Sequence, residues 1–151
     1  MLQSRPLRRI ALLALLASSS LAQAAQALNI DVYRDPNCGC CKAWIKHLQD
    51  NGFTVQDHEE PNMSAVKERL GVAPRLASCH TGVIDGKFVE GHVPADQVKA
   101  LLARDDLRGL AVPGMPVGSP GMEMGDRQDA YQVIGLTQAG TDQVVAEYAG
   151  K

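Results

Sequence analysis

Three of the four cysteines in this chain lie within four residues, and this spacing limits the cross-links that its fold can contain. Cys38, Cys40 and Cys41 are grouped and only Cys79 is distant, so at most one long-range disulfide can form. A structural disulfide framework spreads its cysteines along the chain in order to close several loops. The clustered thiols are therefore better suited to chemistry at one centre than to stapling the fold.

The cysteine cluster falls between a predicted strand and a predicted helix. Residues 28–33 alternate apolar and polar side chains as a strand does, and residues 42–51 have the pattern of a helix that ends at Gly52. The thiols are thus expected in the turn at the amino end of the helix. At that position the helix dipole favours a thiolate over a thiol.

The rest of the pattern predicts an α/β fold. We expect a strand at 53–55, a helix at 64–70, a hairpin of 81–84 with 88–92, and a helix at 94–103. The resulting order, β-α-β-α-β-β-α, is that of a thioredoxin-like fold. By length, residues 28–151 are expected to form one domain.

The segment after the third predicted helix is rich in glycine, proline and methionine. The segment 109–125 is too long to be a simple connection between two elements, so we interpret it as a flap laid over the domain. Strand-like patterns return at 131–136 and 144–148. They predict a C-terminal β-hairpin that either extends the sheet or packs as a small appendage.

Residues 1–27 have the pattern of a signal peptide. A basic start with three arginines leads into an apolar run at 10–17 and then into small residues with two A-x-A sites. The mature chain is therefore predicted to begin at Ala25 or Leu28. Because the apolar run is much shorter than the roughly 20 residues that cross a bilayer, we expect export to the periplasm without membrane insertion of the mature chain.

The charge of the mature chain argues against nucleic acid as a partner. The full chain has 15 Lys+Arg and 17 Asp+Glu, and the predicted signal removes three arginines and no acidic residue. The mature chain then carries a net charge of −5. An acidic protein of this kind repels a phosphate backbone.

The cysteine spacing favours a soft-metal site over thiol exchange. Cys38 and Cys41 satisfy the C-x-x-C pattern of a redox dithiol, but Cys40 would compete for any mixed disulfide. Thiolates bind Cu(I) strongly and can bridge two ions, whereas a zinc site prefers two separated pairs of ligands. The alternative function is a thiol-disulfide oxidoreductase with Cys38 as nucleophile and Cys41 as resolving thiol. A zinc or generic heavy-metal buffer is a third, weaker hypothesis.

Further ligand candidates lie outside the cluster. In a thioredoxin-like fold, Cys79 would open a strand beside the first helix and become the fourth sulfur. Neighbours on a strand face opposite ways, so His80 can join the same site only where the segment is irregular. For His92, the sequence favours a ligand role and a helix-capping or surface role about equally. Met115 and Met122 offer soft thioethers from the flap. The two histidines without motif context are assigned to the surface: His47 and His58.

Four motifs, at 35–41, 78–81, 90–94 and 113–123, together resemble the CopG-type periplasmic copper-resistance family. The resemblance implies a thioredoxin-like fold, several copper ions in a cysteine-bridged cluster, and a role in copper resistance beside exporters. We expect the cluster to hold Cu(I)/Cu(II) with Cu(I) preferred, and periplasmic copper exporters or chaperones to be partners. The resemblance leaves open storage, delivery or redox conversion of copper, and whether the protein turns over as an enzyme. The predicted metal ligands are Cys38, Cys40, Cys41, Cys79, His80, His92, Met115 and Met122.

Overall fold

A seven-stranded mixed sheet with three α-helices makes up residues 28–151, the part of the chain that the computed structural model describes. The strands are β1 (Leu28–Arg34), β2 (Phe53–Glu59), β3 (His80–Ile84), β4 (Lys87–Glu90), β5 (Leu107–Ala111), β6 (Tyr131–Thr137) and β7 (Asp142–Tyr148). The helices are α1 (Gly39–Asp50), α2 (Met63–Leu70) and α3 (Ala95–Leu101), with a 3₁₀ turn at Pro74–Leu76. The predicted signal peptide and its cleavage point before Ala25 or Leu28 lie outside the described residues.

The predicted α/β element order is confirmed through α3, and the strands lie in the order β2-β1-β3-β4-β5-β6-β7. β1 pairs in parallel with β2 and antiparallel with β3. The expected hairpin is present as β3 and β4. Its two turn residues, Asp85 and Gly86, have φ angles of 50° and 71°, as a two-residue hairpin turn requires.

The predicted start of the flap at residue 109 is wrong, because residues 107–111 form β5 and pair in parallel with β4. Four of the five residues of β5 are buried, so the strand shows no alternation that would distinguish it from a loop. Gly109 is required by close packing, since a Cβ there would overlap the Phe88 carbonyl oxygen. We use the name flap below for residues 112–130, which connect β5 to β6.

The C-terminal hairpin extends the sheet, which decides between the two arrangements that its sequence allowed. β6 pairs antiparallel with β5, and β7 pairs antiparallel with β6. Tyr131 and Tyr148, which are paired across the hairpin, stack with their ring centroids 4.7 Å apart. The sheet is thereby continuous from β2 at one edge to β7 at the other.

Helix α1 is anchored to the sheet by its apolar face. Trp44 and Leu48 are fully buried in the main core cluster, beside Ile30 and Val89 of the sheet. The Trp44 indole N–H also donates a hydrogen bond of 2.8 Å to the Val93 carbonyl oxygen. This contact fixes the amino-terminal half of α1 beside the segment that follows β4. Within residues 28–151, no helix is long and apolar enough to cross a membrane.

The role of Gly109 can be tested by adding a single methyl group. We expect Gly109→Ala to lower the free energy of unfolding by about 1–3 kcal/mol, as overpacking does, because the new Cβ meets the Phe88 backbone. Urea denaturation measures the change. Gly39→Ala in the first turn of α1 is the matched control, since a Cβ there meets nothing within 4 Å. Equal stability of the two variants would contradict the packing argument.

Candidate metal centre

The pairing of β1 with β3 brings the cysteine turn beside Cys79. Arg34 at the end of β1 lies opposite His80 at the start of β3. The Cys40 sulfur lies 3.5 Å from the Cys38 sulfur and 3.9 Å from the Cys79 sulfur. All four cysteine sulfurs lie within 4.8 Å of one another, so the structure brings the sulfur atoms of all four cysteines to one place.

Two of the four sulfurs are joined in the structure. Cys38 and Cys41 form a disulfide across the first turn of α1, and Cys40 and Cys79 are free and half-buried. Cys38 is also the N-cap of α1, where its sulfur accepts the Cys41 backbone N–H at 3.3 Å. A four-thiolate centre therefore requires reduction of this disulfide by two electrons.

Arg34 holds the backbone of the turn that leads to the cysteines. Its buried guanidinium donates to the carbonyl oxygens of Asp35 and Pro36 at 3.1 and 3.3 Å. The same side chain forms ion pairs with Asp57 at 2.7 Å and Glu59 at 3.1 Å on β2. One residue thus ties the cysteine turn to the adjacent strand.

A second group of ligand atoms shares Cys79 with the sulfur cluster. The Cys79 sulfur lies 3.2 Å from His80 Nδ1 and 3.3 Å from His92 Nε2. Both imidazoles are fully buried, and their rings meet edge to face at 4.8 Å. The structure therefore brings together six of the eight side chains predicted from the sequence as ligands. Cys79 precedes β3 rather than lying in it, which is why it and His80 face the same site.

The hydrogen bonding of His92 presents a lone pair to the site. Its Nδ1 lies 2.8 Å from the Pro120 carbonyl oxygen, which can only accept a hydrogen bond. Nδ1 therefore carries the proton, and Nε2 carries the lone pair that could bind a metal ion and faces the Cys79 sulfur. A carbonyl that fixes the tautomer in this way is a common partner of metal-binding histidines.

Burial decides the protonation state of this group. It lowers the pKa of His80 and of His92, so both imidazoles are neutral at neutral pH. Burial, followed by the neighbouring Cys40, raises the pKa of the Cys79 thiol to about 12. His80 Nε2 is buried without a hydrogen-bond partner among the described residues, which costs about 1–3 kcal/mol. Neutral imidazoles beside clustered sulfurs fit a soft metal ion better than a hard one.

The flap lies over the first turn of α1. The Pro120 carbonyl of the flap contacts His92. Gly121, with φ of 86°, approaches α1 so closely that a Cβ there would lie 2.8 Å from the Trp44 backbone nitrogen. The flap methionines differ in exposure. Met122 is half-buried, whereas Met115 is 54% exposed and Met124 is 65% exposed.

The remaining histidines lie outside both ligand groups. His47 is half-buried and accepts the Ala95 backbone N–H at 3.1 Å, so it caps α3 and is not the surface residue that the sequence suggested. His58 is half-buried, with Nε2 2.7 Å from Asp31 and its ring stacked on Tyr33. Both histidines therefore have structural partners.

One buried residue beside the site was missed by the sequence analysis. Glu90 is fully buried at the end of β4 and forms an ion pair with Lys67 of α2. Burial raises the pKa of Glu90, against the opposing effect of Lys67. The only sequence signal was an acidic residue between the apolar strand residues and His92, within the motif at 90–94.

The burial of Cys79 predicts slow alkylation. At pH 8 a pKa of about 12 in place of 9.0 leaves about 1,000-fold less thiolate than an ordinary cysteine has, and the thiolate is the reactive form. We expect iodoacetamide to label Cys79 in the disulfide form correspondingly slowly, with a rate that rises about tenfold per pH unit. Peptide mass spectrometry measures the rate, and the urea-unfolded protein is the control. Equal rates in the folded and unfolded protein would contradict the buried, protonated thiol.

Comparison with known proteins identifies the family. The family described as "Protein of unknown function, DUF411" matches residues 76–122. No curated protein sequence matches the chain. Two solved structures, described as "Copper resistance protein copG- Form 1" and "Form 2", are each 70% identical to it, with TM-scores of 0.81 and 0.80. The match to Form 1 covers 83% of this chain and 100% of the other, and the match to Form 2 covers 82% and 99%. The chain therefore belongs to the family of the copper resistance protein CopG.

Proposed function

We propose that this protein is a periplasmic copper-binding protein of copper resistance that holds several Cu(I) ions at a cluster of thiolates. The observation that carries the proposal is the convergence of four cysteine sulfurs within 4.8 Å, with one sulfur shared by two buried imidazoles. The relatives named as copper resistance proteins support copper as the cargo. In this proposal, residues 1–27 direct export, and periplasmic copper exporters or chaperones are the partners.

The sulfur spacing suits bridged ions. Two metal–sulfur bonds of about 2.3 Å each, by analogy with zinc, span nearly the 4.8 Å within which all four sulfurs lie. Thiolates can each contact more than one Cu(I) ion, and the reduced site would supply four of them: Cys38, Cys40, Cys41 and Cys79. The α1 amino terminus favours negative charge on Cys38, Cys40 and Cys41, which lie at that end of the helix.

Imidazole and thioether ligands would complete the site. His80 and His92 are neutral and need not lose a proton before they bind a metal ion. Met122, which is half-buried in the flap, is better placed to be a ligand than the exposed Met115. In this arrangement the flap would limit the access of water to the bound copper.

The disulfide gives the site a route to redox conversion of copper. Two thiols, Cys38 and Cys41, would transfer one electron to each of two Cu(II) ions, yielding two Cu(I) ions, one disulfide and two protons. The same two sulfurs would then act either as ligands or as the reductant. Restoring the thiols would require a dithiol reductant from outside the chain.

A thiol-disulfide oxidoreductase is the second candidate function, and the disulfide at the start of α1 is the observation that favours it. In its reduced form, the Cys38 thiolate would attack a substrate disulfide, and Cys41 would resolve the mixed disulfide that results. Cys40, whose sulfur lies 3.5 Å from that of Cys38, would intercept a mixed disulfide. This competition favours copper binding over thiol exchange.

Copper loading tests the cluster. We expect the reduced mature protein to bind more than one Cu(I) per chain and to prefer Cu(I) to zinc, because clustered thiolates bridge soft ions. Cys38→Ser, Cys40→Ser, Cys41→Ser and Cys79→Ser should each lower the loading. Elemental analysis with a thiol count measures it, and circular dichroism checks that each variant is folded. A one-to-one zinc complex that resists copper would refute the proposal.

Cys40→Ser separates the two candidate functions. A copper cluster loses a bridging ligand in this variant, whereas a C-x-x-C oxidoreductase keeps both of its thiols. Full copper loading by Cys40→Ser, combined with insulin disulfide reduction that disappears in Cys38→Ser and Cys41→Ser, would favour the oxidoreductase.

The flap methionines provide a graded test of ligation. We expect Met122→Leu to speed the loss of Cu(I) to a chelator by more than Met115→Leu does, because leucine keeps the apolar volume and removes the thioether. Met124→Leu, in the same flap and 65% exposed, is the matched control. If all three variants lose copper at the rate of the unmodified protein, the flap contributes no ligand.

A further inference from the structure

Cys79 and His80 are consecutive residues, yet their side chains meet at 3.2 Å in one site. In a regular strand they would face opposite ways. The chain is irregular there, because Cys79 lies in the link between the 3₁₀ turn and β3. Some interaction must hold this link in a conformation that is not that of a strand.

The carboxylate of Glu90 makes hydrogen bonds on both sides of the Cys79–His80 pair. One oxygen accepts the Ser78 backbone N–H at 2.6 Å, directly before the pair. The other accepts the Thr81 hydroxyl at 2.5 Å, directly after it. Thr81 and Glu90 are also cross-strand partners in the β3–β4 ladder, so the carboxylate lies on the sheet face opposite to His80.

Lys67 of α2 balances the charge of Glu90. Lys67 Nζ lies 2.5 Å from the Glu90 oxygen that accepts the Ser78 N–H and 3.0 Å from the Thr81 hydroxyl. An apolar pair of similar volume often stabilises a core as well as a buried ion pair does. An apolar pair, however, provides no acceptor for the Ser78 N–H.

The link also carries the flap. The Ser78 hydroxyl donates a 2.5 Å hydrogen bond to the Gly114 carbonyl oxygen, so the residue held by Glu90 in turn holds the flap. On the other side of Glu90, Gly91 has φ of 72° and lies so close to Ser78 that a Cβ would come within 2.6 Å of it. The chain then reaches His92. The two copper-ligand segments and the flap therefore meet around one carboxylate.

We propose that Glu90 is a positioning residue for copper, whose carboxylate fixes residues 78–81 so that Cys79 and His80 face the same ion. The inference rests on the proposed copper-binding function. Glu90 itself is directed away from the site and acts through the backbone of Ser78 and the hydroxyl of Thr81. Partners that orient metal ligands typically change affinity by 10–100-fold when they are removed.

Two double variants separate positioning from ion pairing. Lys67→Met combined with Glu90→Gln removes both charges but keeps an oxygen that can accept the Ser78 N–H. Lys67→Met combined with Glu90→Leu removes both charges and the acceptor. We expect Cu(I) affinity, measured by competition with a colorimetric Cu(I) chelator, to fall about 10–100-fold in the leucine pair and to be largely restored in the glutamine pair.

The folded state and the ligand geometry are measured alongside affinity. Urea denaturation checks that both pairs are folded, and NMR signals of the His80 and His92 rings in the metal-free protein should shift only in the leucine pair. If that pair does not fold, Thr81→Val, which removes one flanking donor, should show the same shift and weaker binding. Equal affinities in the two folded pairs, or unchanged ring signals in the leucine pair or Thr81→Val, would overturn the positioning role. If the unmodified protein binds no Cu(I), the proposed function fails, and the ring signals alone then decide whether Glu90 positions this segment.

Discussion

The antiparallel pairing of β1 with β3 is the interaction on which the site depends. It places Arg34 opposite His80, so the turn after β1 and the link before β3 meet at one end of the sheet. Close packing fixes this register, because a Cβ at Gly82 of β3 would lie 2.9 Å from the Ile30 side chain of β1. A slip of one residue would turn His80 to the opposite face of the sheet.

Polar groups are buried around this junction at considerable cost, and most of them have partners. Arg34 holds the cysteine turn, Glu90 holds the link before β3, and the Pro120 carbonyl orients His92. Each of these contacts fixes backbone or ring orientation next to a predicted ligand. Fixed ligands are what a metal site requires, since a loosely held shell loses affinity. The buried nitrogen of His80 without a partner belongs to the same region.

Periodicity was sufficient to predict the three α-helices and six of the seven strands of residues 28–151, because their apolar faces alternate or repeat with clear boundaries. It failed for β5, because four of its five residues are buried and show no alternation. The sequence therefore assigned Gly109 and the residues after it to the flap. Periodicity also could not show that Cys79 and His80 face the same site, since the irregular position of Cys79 before β3 has no sequence signature. Glu90 was missed for a related reason. A strand pattern does not show whether an acidic residue at its end is exposed or paired with a distant lysine.

Copper binding and thiol exchange would use the same sulfurs in incompatible ways. With Cys38 and Cys41 joined, Cys40 and Cys79 remain as free thiols beside the two imidazoles, whereas reduction adds two more thiols. The number of soft ligands therefore depends on the redox state of one disulfide. Cys40 links the two states, because its sulfur lies 3.5 Å from Cys38 and 3.9 Å from Cys79. In an exchange enzyme that position would divert the reaction, but in the proposed copper cluster it would let one thiolate bridge ions between the cysteine turn and the link before β3.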